Sequence, residues 1–264
     1  MFTVHYALQT CDTASNQNMV RYCSNDRSEI TRKCVTSFLE SVTIAAENKN
    51  SLHVVSIFDD HSLPQTVDFL KKAVEYYNKD NVNVSLVLLK TCGIMNSIRT
   101  CYEWMSNNGQ DLVYQVQDDY LFDPMAITEM INVFNQMYID KSTHSVVIPY
   151  NDPNPWRTSY LYRPTPRTII PGTHRYWIQF YDVACTFMTS TEQFNKHWDL
   201  YETFLNFSPT YENLEPESLN HMFVKRGVLG VMPVNSVALH MQGEFEKDPY
   251  IDWRSWWDAV KDIR

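Results

Sequence analysis

At 264 residues, 44% hydrophobic and 20% charged, the chain has the size and balance of one large globular domain, or one domain with an elaborated C-terminal part. A formal charge of −9 with no Lys/Arg-rich run excludes the electrostatic footprint of a non-specific nucleic-acid binder. No apolar run is long enough to span a bilayer and no signal peptide opens the chain. The six Cys residues (Cys11, Cys23, Cys34, Cys92, Cys101, Cys185) include no Cys-x-x-Cys pair, so the expectation is reduced thiols in a cytoplasm, without disulfide framework or zinc.

Taken in order, Phe2 to Leu8 reads as a first strand followed by a polar loop, Gln9 to Asn18. From Arg27, Ile30, Cys34, Phe38, Val42 and Ala45 recur at three- and four-residue spacing, an amphipathic helix running towards Asn48. His53 to Phe58 is a second strand, ending on Asp59-Asp60-His61-Ser62. Pro64 starts a helix that buries Val67, Leu70, Val74 and Tyr77. Val82 to Leu89 is a third strand, and Ile94, Ile98, Cys101 and Met105 mark a shorter helix after Gly93.

The stretch Asp111 to Pro124 concentrates charge at a strand end. Leu112 to Val116 has the aliphatic, β-branched character of a buried strand, and Asp118 and Asp119 close it. Carboxylates at the tip of a buried strand are unfavourable unless compensated. A divalent cation compensates them, since Mg²⁺ or Mn²⁺ takes hard oxygen ligands, usually one or two from protein carboxylates and the rest from phosphate and water. The plainer alternative is that both cap the helix starting near Met125. Asp123, directly before Pro124, fills that role better.

Four strands alternating with helices imply right-handed crossovers and a mostly parallel sheet covered on both faces. Ligands in such sheets collect outside the carboxyl ends of the strands, where the chain has two acidic pairs, Asp59-Asp60 and Asp118-Asp119. Neither a Gly-x-Gly-x-x-Gly nor a P-loop motif occurs among only six glycines, so a phosphate would be held by metal and side chains.

The second half is different in character. After a strand His144 to Pro149, residues 150 to 181 are crowded with Pro, Tyr, Trp and Arg. Val183 to Met188 reads as a returning strand, Glu192 to Phe204 as helix, and Leu219, Met222 and Phe223 as a helix stopped by Gly227. A hairpin-like pair follows, Val228 to Val231 with Ser236 to Leu239. Trp253, Trp256 and Trp257 dock a final helix.

The order of these parts resembles the GT-A-fold glycosyltransferases, particularly the family-2-like kind, from about Val4 to Gly243. The residues that carry the likeness are Val55 to Ser62, Gln117-Asp118-Asp119 for the Asp-x-Asp metal motif, Glu215-Pro216-Glu217 ahead of a helix, and Val237-Ala238-Leu239-His240. The resemblance implies a single GT-A-like domain over 1–264, with residues 1–149 as the nucleotide-sugar-binding half and 150–264 as the acceptor-side half. It implies that Asp59 or Asp60 holds the nucleobase or ribose and that Asp119, with Asp118, binds Mn²⁺ or Mg²⁺ on the diphosphate. His240 completes the metal shell, Glu217 or Glu215 is the general base, and Arg99 lies near the donor. The activity implied is metal-dependent, inverting transfer from a UDP- or GDP-sugar to a glycan or other hydroxyl acceptor.

Three features depart from that pattern. Gln117 stands where the family usually has an acid, and the base segment is Glu-Pro-Glu where Glu-Asp is usual. The Gln-x-x-Arg-x-Trp motif and the membrane helices of processive synthases are missing, which points to an enzyme adding one sugar at a time. Two alternatives stand beside this reading. One is a sugar nucleotidyltransferase, although the loop Gln9 to Thr13 lacks that class's glycine-rich, basic character. The other is a catalytically inactive carbohydrate- or nucleotide-binding relic of the same fold. His240 as a core histidine, Glu217 as a helix-start charge and Asp59 as a loop cap are the structural alternatives for single residues.

Overall fold

The computed structural model describes residues 2–13, 21–48, 50–141, 144–151, 168–183, 186–206, 218–241, 250–261, and also Asp248 and Ile263. Its core is a nine-stranded sheet. The first four strands are β1 (Phe2–Thr10), β2 (Ser51–Asp59), β3 (Val82–Leu88) and β4 (Leu112–Gln117), lying side by side in the order β3-β2-β1-β4 and all parallel. Each is joined to the next through a helix: α1 (Arg27–Ala46), α2 (Pro64–Tyr77) and α3 (Ile94–Asn108).

Local chemistry explains these boundaries. Asp26 caps α1 by accepting from the Ser28 N–H, and the helix buries Ile30, Cys34, Val35, Phe38 and Val42. Pro64 supplies the preset φ of a first helical residue in α2. Gly93 precedes α3 at φ 107°, a conformation that side chains rarely adopt. β1 is buried on both faces, as expected of a central parallel strand, whereas β3 at the edge alternates buried and exposed positions.

Beyond β4 the sheet is mixed. β5 (Tyr120–Phe122) leaves it, followed by α4 (Ala126–Lys141) and β6 (Ser145–Val147), which re-enters. The second half adds β7 (Ile169–Pro171), β8 (Tyr176–Phe180) and β9 (Phe187–Ser190). Two helices follow, α5 (Thr191–Lys196) and α6 (Trp198–Asn206), then the short α7 (His221–Val224). β9 runs antiparallel between β4 and β6, and β10 (Leu229–Pro233) pairs parallel with β6 and antiparallel with β8. Gly230 has the Phe180 carbonyl 2.3 Å from where a Cβ would stand, so β8 and β10 close up only over a glycine.

Two expectations are corrected. Residues 228–239 do not form a hairpin: β10 belongs to the main sheet, while β11 (Ala238–His240) pairs antiparallel with β5 in a separate two-stranded sheet. The single helix expected over 192–204 is two, broken at His197, whose backbone leaves the helical region at φ −112°, ψ 24°. The tail helix α8 (Trp253–Ala259) buries Trp253 and Trp257 in a satellite cluster with Ile30, Cys34, Leu121, Leu239 and Met241. No helix among the described residues is long and apolar enough to cross a membrane. Cys11, Cys23, Cys34, Cys92 and Cys101 are free thiols, and Cys185 lies outside the described residues.

Candidate functional site

Parallel pairing sets the rim. Thr10 at the end of β1 is in register with Asp59 of β2, and Gln9 with Gln117 of β4, so the two acidic pairs flank the end of β1 on one edge of the sheet.

On the β2 side, Asp59 is buried and accepts from the Thr10 hydroxyl at 3.0 Å and the Ser62 N–H at 3.2 Å, as a carboxylate closing its own loop does. Asp60, also buried, accepts from the Gly93 N–H at 2.9 Å and lies 2.9 Å from Nδ1 of His61. His61 stands at φ 62°, an unusual backbone state for a residue with a side chain, right on the rim. The β1–α1 connection adds a carboxylate the sequence did not single out. Asp12 accepts from the Ser28 hydroxyl, the Thr66 hydroxyl and the Leu63 N–H, pinning the starts of α1 and α2 to the loop.

On the β4 side, three donors converge on Asp118: the Cys11 N–H at 2.9 Å, the Thr31 hydroxyl at 2.8 Å and the guanidinium of Arg27. Arg27 spans to Asp119 as well, with Nη1 3.6 Å from Oδ2. Two adjacent buried carboxylates titrate as a pair. Burial pushes Asp118 up and the neighbouring Asp119 charge adds to it, against the pull of Arg27. Burial also raises Asp119, but His240 and then the arginines Arg27 and Arg21 outweigh it and hold that carboxyl well below the usual range. Arg27 loses by burial and gains more from Asp118 and Asp119, so it stays charged.

The β5–β11 pairing delivers the distant imidazole. Tyr120 is in register with His240, and their rings stack at 4.5 Å between centroids with 4° between planes. The Met241 N–H donates to the Asp119 carbonyl at 2.9 Å, and His240 Nε2 lies 3.5 Å from Asp119 Oδ2. Asp119 Oδ1 is buried with no hydrogen-bond partner.

A carboxylate oxygen in that condition beside an imidazole nitrogen fits a hard divalent cation that draws its other ligands from phosphate and water. Among the described residues no cluster of three or more His, Cys, Asp or Glu is arranged as a metal cage, and Asp119 and His240 are the pair of donors found together at this rim. Asp118, with its oxygens engaged by Arg27, Thr31 and Cys11, is placed to hold Arg27 and the β1–α1 connection.

The structure therefore brings Asp59, Asp60, Asp118, Asp119 and His240 to one rim. It places Arg99 elsewhere: its guanidinium donates to the Leu205 carbonyl and Asn206 Oδ1, closing the C-terminal end of α6. Glu215 and Glu217 lie outside the described residues, as does most of the aromatic segment, residues 152–167. Arg27, Arg21, Thr31 and Tyr120 are the site residues that sequence reasoning missed. Arg27 carried one available signal, a cation at the start of the helix that follows β1.

No family model and no curated protein matches the sequence. Solved structures do resemble the fold. A mannosyltransferase from Pyrobaculum calidifontis, in complex with GDP-Man and Mn²⁺, aligns over 96% of this chain and 59% of its own at a TM-score of 0.51 and 12% identity. UDP-glucose pyrophosphorylase aligns in its apo form over 98% of this chain and 97% of its own, with a TM-score of 0.48 and 11% identity. In complex with UDP-glucose it covers 88% and 90%, at 0.47 and 10%. The chain thus has a GT-A-like α/β fold of the kind the mannosyltransferase has, a likeness of fold that does not reach the family-2 level.

Proposed function

We propose that this protein is a nucleotide-sugar-dependent glycosyltransferase, a single GT-A-like unit that moves a sugar from a UDP- or GDP-sugar to a hydroxyl acceptor with inversion. The observation that carries the reading is the buried, unpartnered Oδ1 of Asp119 next to His240, on the rim that also holds the acidic end of β2. Asp119 and His240 would hold Mn²⁺ or Mg²⁺, which supplies Lewis-acid neutralisation of the departing diphosphate. The chain's other groups position and select. Asp118 keeps Arg27 aimed at the site, and Asp60 with Gly93 and His61 forms the wall on which a ribose or base would lie. Glu217 or Glu215 would take the acceptor proton, a role worth typically about 10²–10⁴-fold. The mannosyltransferase neighbour was solved with a nucleotide sugar and Mn²⁺, which supports the donor class and the metal. The free thiols suit a reducing, cytoplasmic compartment.

The test is thermal shift with Mn²⁺ plus UDP or GDP against Mn²⁺ alone, followed by release of free nucleotide from a panel of donors. Asp119→Asn keeps the size of the side chain but halves its hold on a cation. It should lower turnover by at least about 100-fold, since several kcal/mol of charge stabilisation is at stake. Undiminished turnover in that variant would remove the metal assignment.

A sugar nucleotidyltransferase is the second reading, and one observation favours it. Arg27, the first residue of the helix after β1, pairs with Asp118 and lies against Asp119. Pyrophosphate release from UTP plus glucose 1-phosphate, with no sugar transfer from UDP-glucose, would establish it. A protein that binds nucleotide but turns over neither would be the inactive relic.

A further inference from the structure

One edge of the nine-stranded sheet is β3, which is paired on one side only, with β2. Its ends show which backbone groups face that neighbour. The His53 N–H donates to the Asn81 carbonyl at 2.9 Å, and the Leu89 N–H donates to the Asp59 carbonyl at 2.9 Å. Hydrogen-bonding groups alternate sides along a strand, so the odd-numbered residues from 81 to 89 face β2. Val82, Val84, Leu86 and Leu88 therefore present their N–H and C=O groups outward. The chain covers the first half of that edge itself. Val82 exchanges backbone hydrogen bonds with Lys79 at 2.9 and 3.0 Å, and Val84 does the same with the side-chain amide of Asn78, both at 2.9 Å. Among the described residues, none covers the outward backbone of Leu86 or Leu88.

Strand edges left open are normally blunted by charge, proline or a bulge. The run Val82 to Leu89 contains no charged residue and no Pro, and its open half carries exposed apolar side chains, Val87 at 40% and Leu88 at 54%. In a chain of formal charge −9, this uncharged stretch is where a second copy can approach without opposing like charges. The open stretch is also self-complementary. Its two outward-facing residues flank Val87, so the same strand turned round brings Leu86 opposite Leu88 and Leu88 opposite Leu86. Lys90 then falls opposite Val84, where Asn78 already occupies the edge.

We propose that β3 is a dimerisation edge, where two copies of this chain pair antiparallel across a two-fold axis at Val87 and join their sheets into one. Leu86 of each copy exchanges both backbone hydrogen bonds with Leu88 of the other. Val87 meets Val87 of the second copy in a non-hydrogen-bonded pair, the arrangement in which side chains come closest. Asn78 and Lys79 end the ladder, so this edge closes at two copies. Antiparallel pairing turns the two rims to opposite ends of the joined sheet, and the two candidate sites open away from one another. The inference does not depend on the nucleotide-sugar reading.

Sedimentation velocity of the full chain, over a concentration series reaching the millimolar range, tests this. The parent should shift from monomer to dimer along the series. Val87→Lys and Val87→Glu each oppose like charges at the axis and should weaken self-association by at least about tenfold. An equimolar mixture of the two variants should dimerise again, because Lys meets Glu only where position 87 faces position 87. Asn83→Lys lies on the same strand, is also exposed, and sits off the axis, so it should leave the dimer intact. Circular dichroism of each variant should match the parent, since all the substitutions are at exposed positions. A parent that stays monomeric throughout the series would overturn the proposal. So would a dimer that survives Val87→Lys, a Lys and Glu mixture that stays monomeric, or an Asn83→Lys variant weakened as much as Val87→Lys.

Discussion

Buried polar side chains in this sheet sort into those the fold satisfies and those it leaves waiting. His53 is of the first kind. It has no exposed surface, Nδ1 is hydrogen-bonded to the Tyr6 hydroxyl at 2.7 Å, and Nε2 meets Ser51 Oγ at 3.0 Å. Burial lowers its pKa to about 4. The unfolded chain therefore binds a proton that the native state refuses. His53 leaves stability untouched above its ordinary pKa of 6.5, and stability falls as pH drops from there towards 4. Between pH 7.5 and 5 this one group should remove about 2 kcal/mol. Urea denaturation at the two pH values checks it, with His53→Gln, which cannot charge, showing a smaller loss by about that amount. Asp119 and Arg27 are of the second kind, and their unpartnered atoms mark the site, because a fold rarely leaves such atoms buried without a use. The acidic pairs were legible in the sequence as charge at strand tips. That Asp118 is saturated by Arg27, Thr31 and Cys11 while Asp119 keeps an open oxygen was not, since the donors come from 87 to 107 positions away.

Among elements, the short pair β5–β11 decides whether there is a site at all. It places Leu239 opposite Leu121, both fully buried, and so carries His240 to Asp119. Leu239→Ala touches no charged group. It should destabilise the fold by about 2–5 kcal/mol through the cavity it leaves, and it should also weaken Mn²⁺-dependent nucleotide binding by moving His240. Chemical denaturation and nucleotide titration of that variant test both effects, and unchanged nucleotide affinity would mean that His240 is not held by this pairing. Three residues on each strand are too few to show a period, and residues 228–239 read locally as a hairpin because two apolar runs flank a Pro-Val-Asn turn. The break in the helix over 192–204 has the same origin. Arg226 binds His197 Nδ1 at 3.0 Å and pairs with Asp199, and that contact outweighs local helix propensity.

The tail acts on the site at the scale of the whole molecule. Trp253 and Trp257 pack under Ile30 of α1, Leu121 of β5 and Leu239 of β11, the elements that present Arg27, Asp119 and His240. Lys33 Nζ fastens α8 by donating to the Trp257 and Val260 carbonyls, both at 3.0 Å. Trp253→Ala should therefore loosen one end of the rim while the four parallel strands hold. Hydrogen exchange should show faster exchange in β5 and β11 with little change in β1, β2 and β4, a local opening in place of global loss. Uniform acceleration across all strands would contradict this division.

The sequence by itself determined the alternation of strand and helix from Phe2 to Gln117, the two acidic strand ends and the docking of the terminal tryptophans. Each of these is written in local periodicity and in the composition of a short window. Only the tertiary structure decided the partners. Strand order 3-2-1-4 put the carboxylates on one edge, and an antiparallel contact spanning 120 positions stacked His240 on Tyr120. A guanidinium at the start of α1 took hold of Asp118. Hydrogen bonds and buried charge pairs of that kind depend on the distance between atoms in space, and nothing in the spacing of residues along a chain encodes that distance.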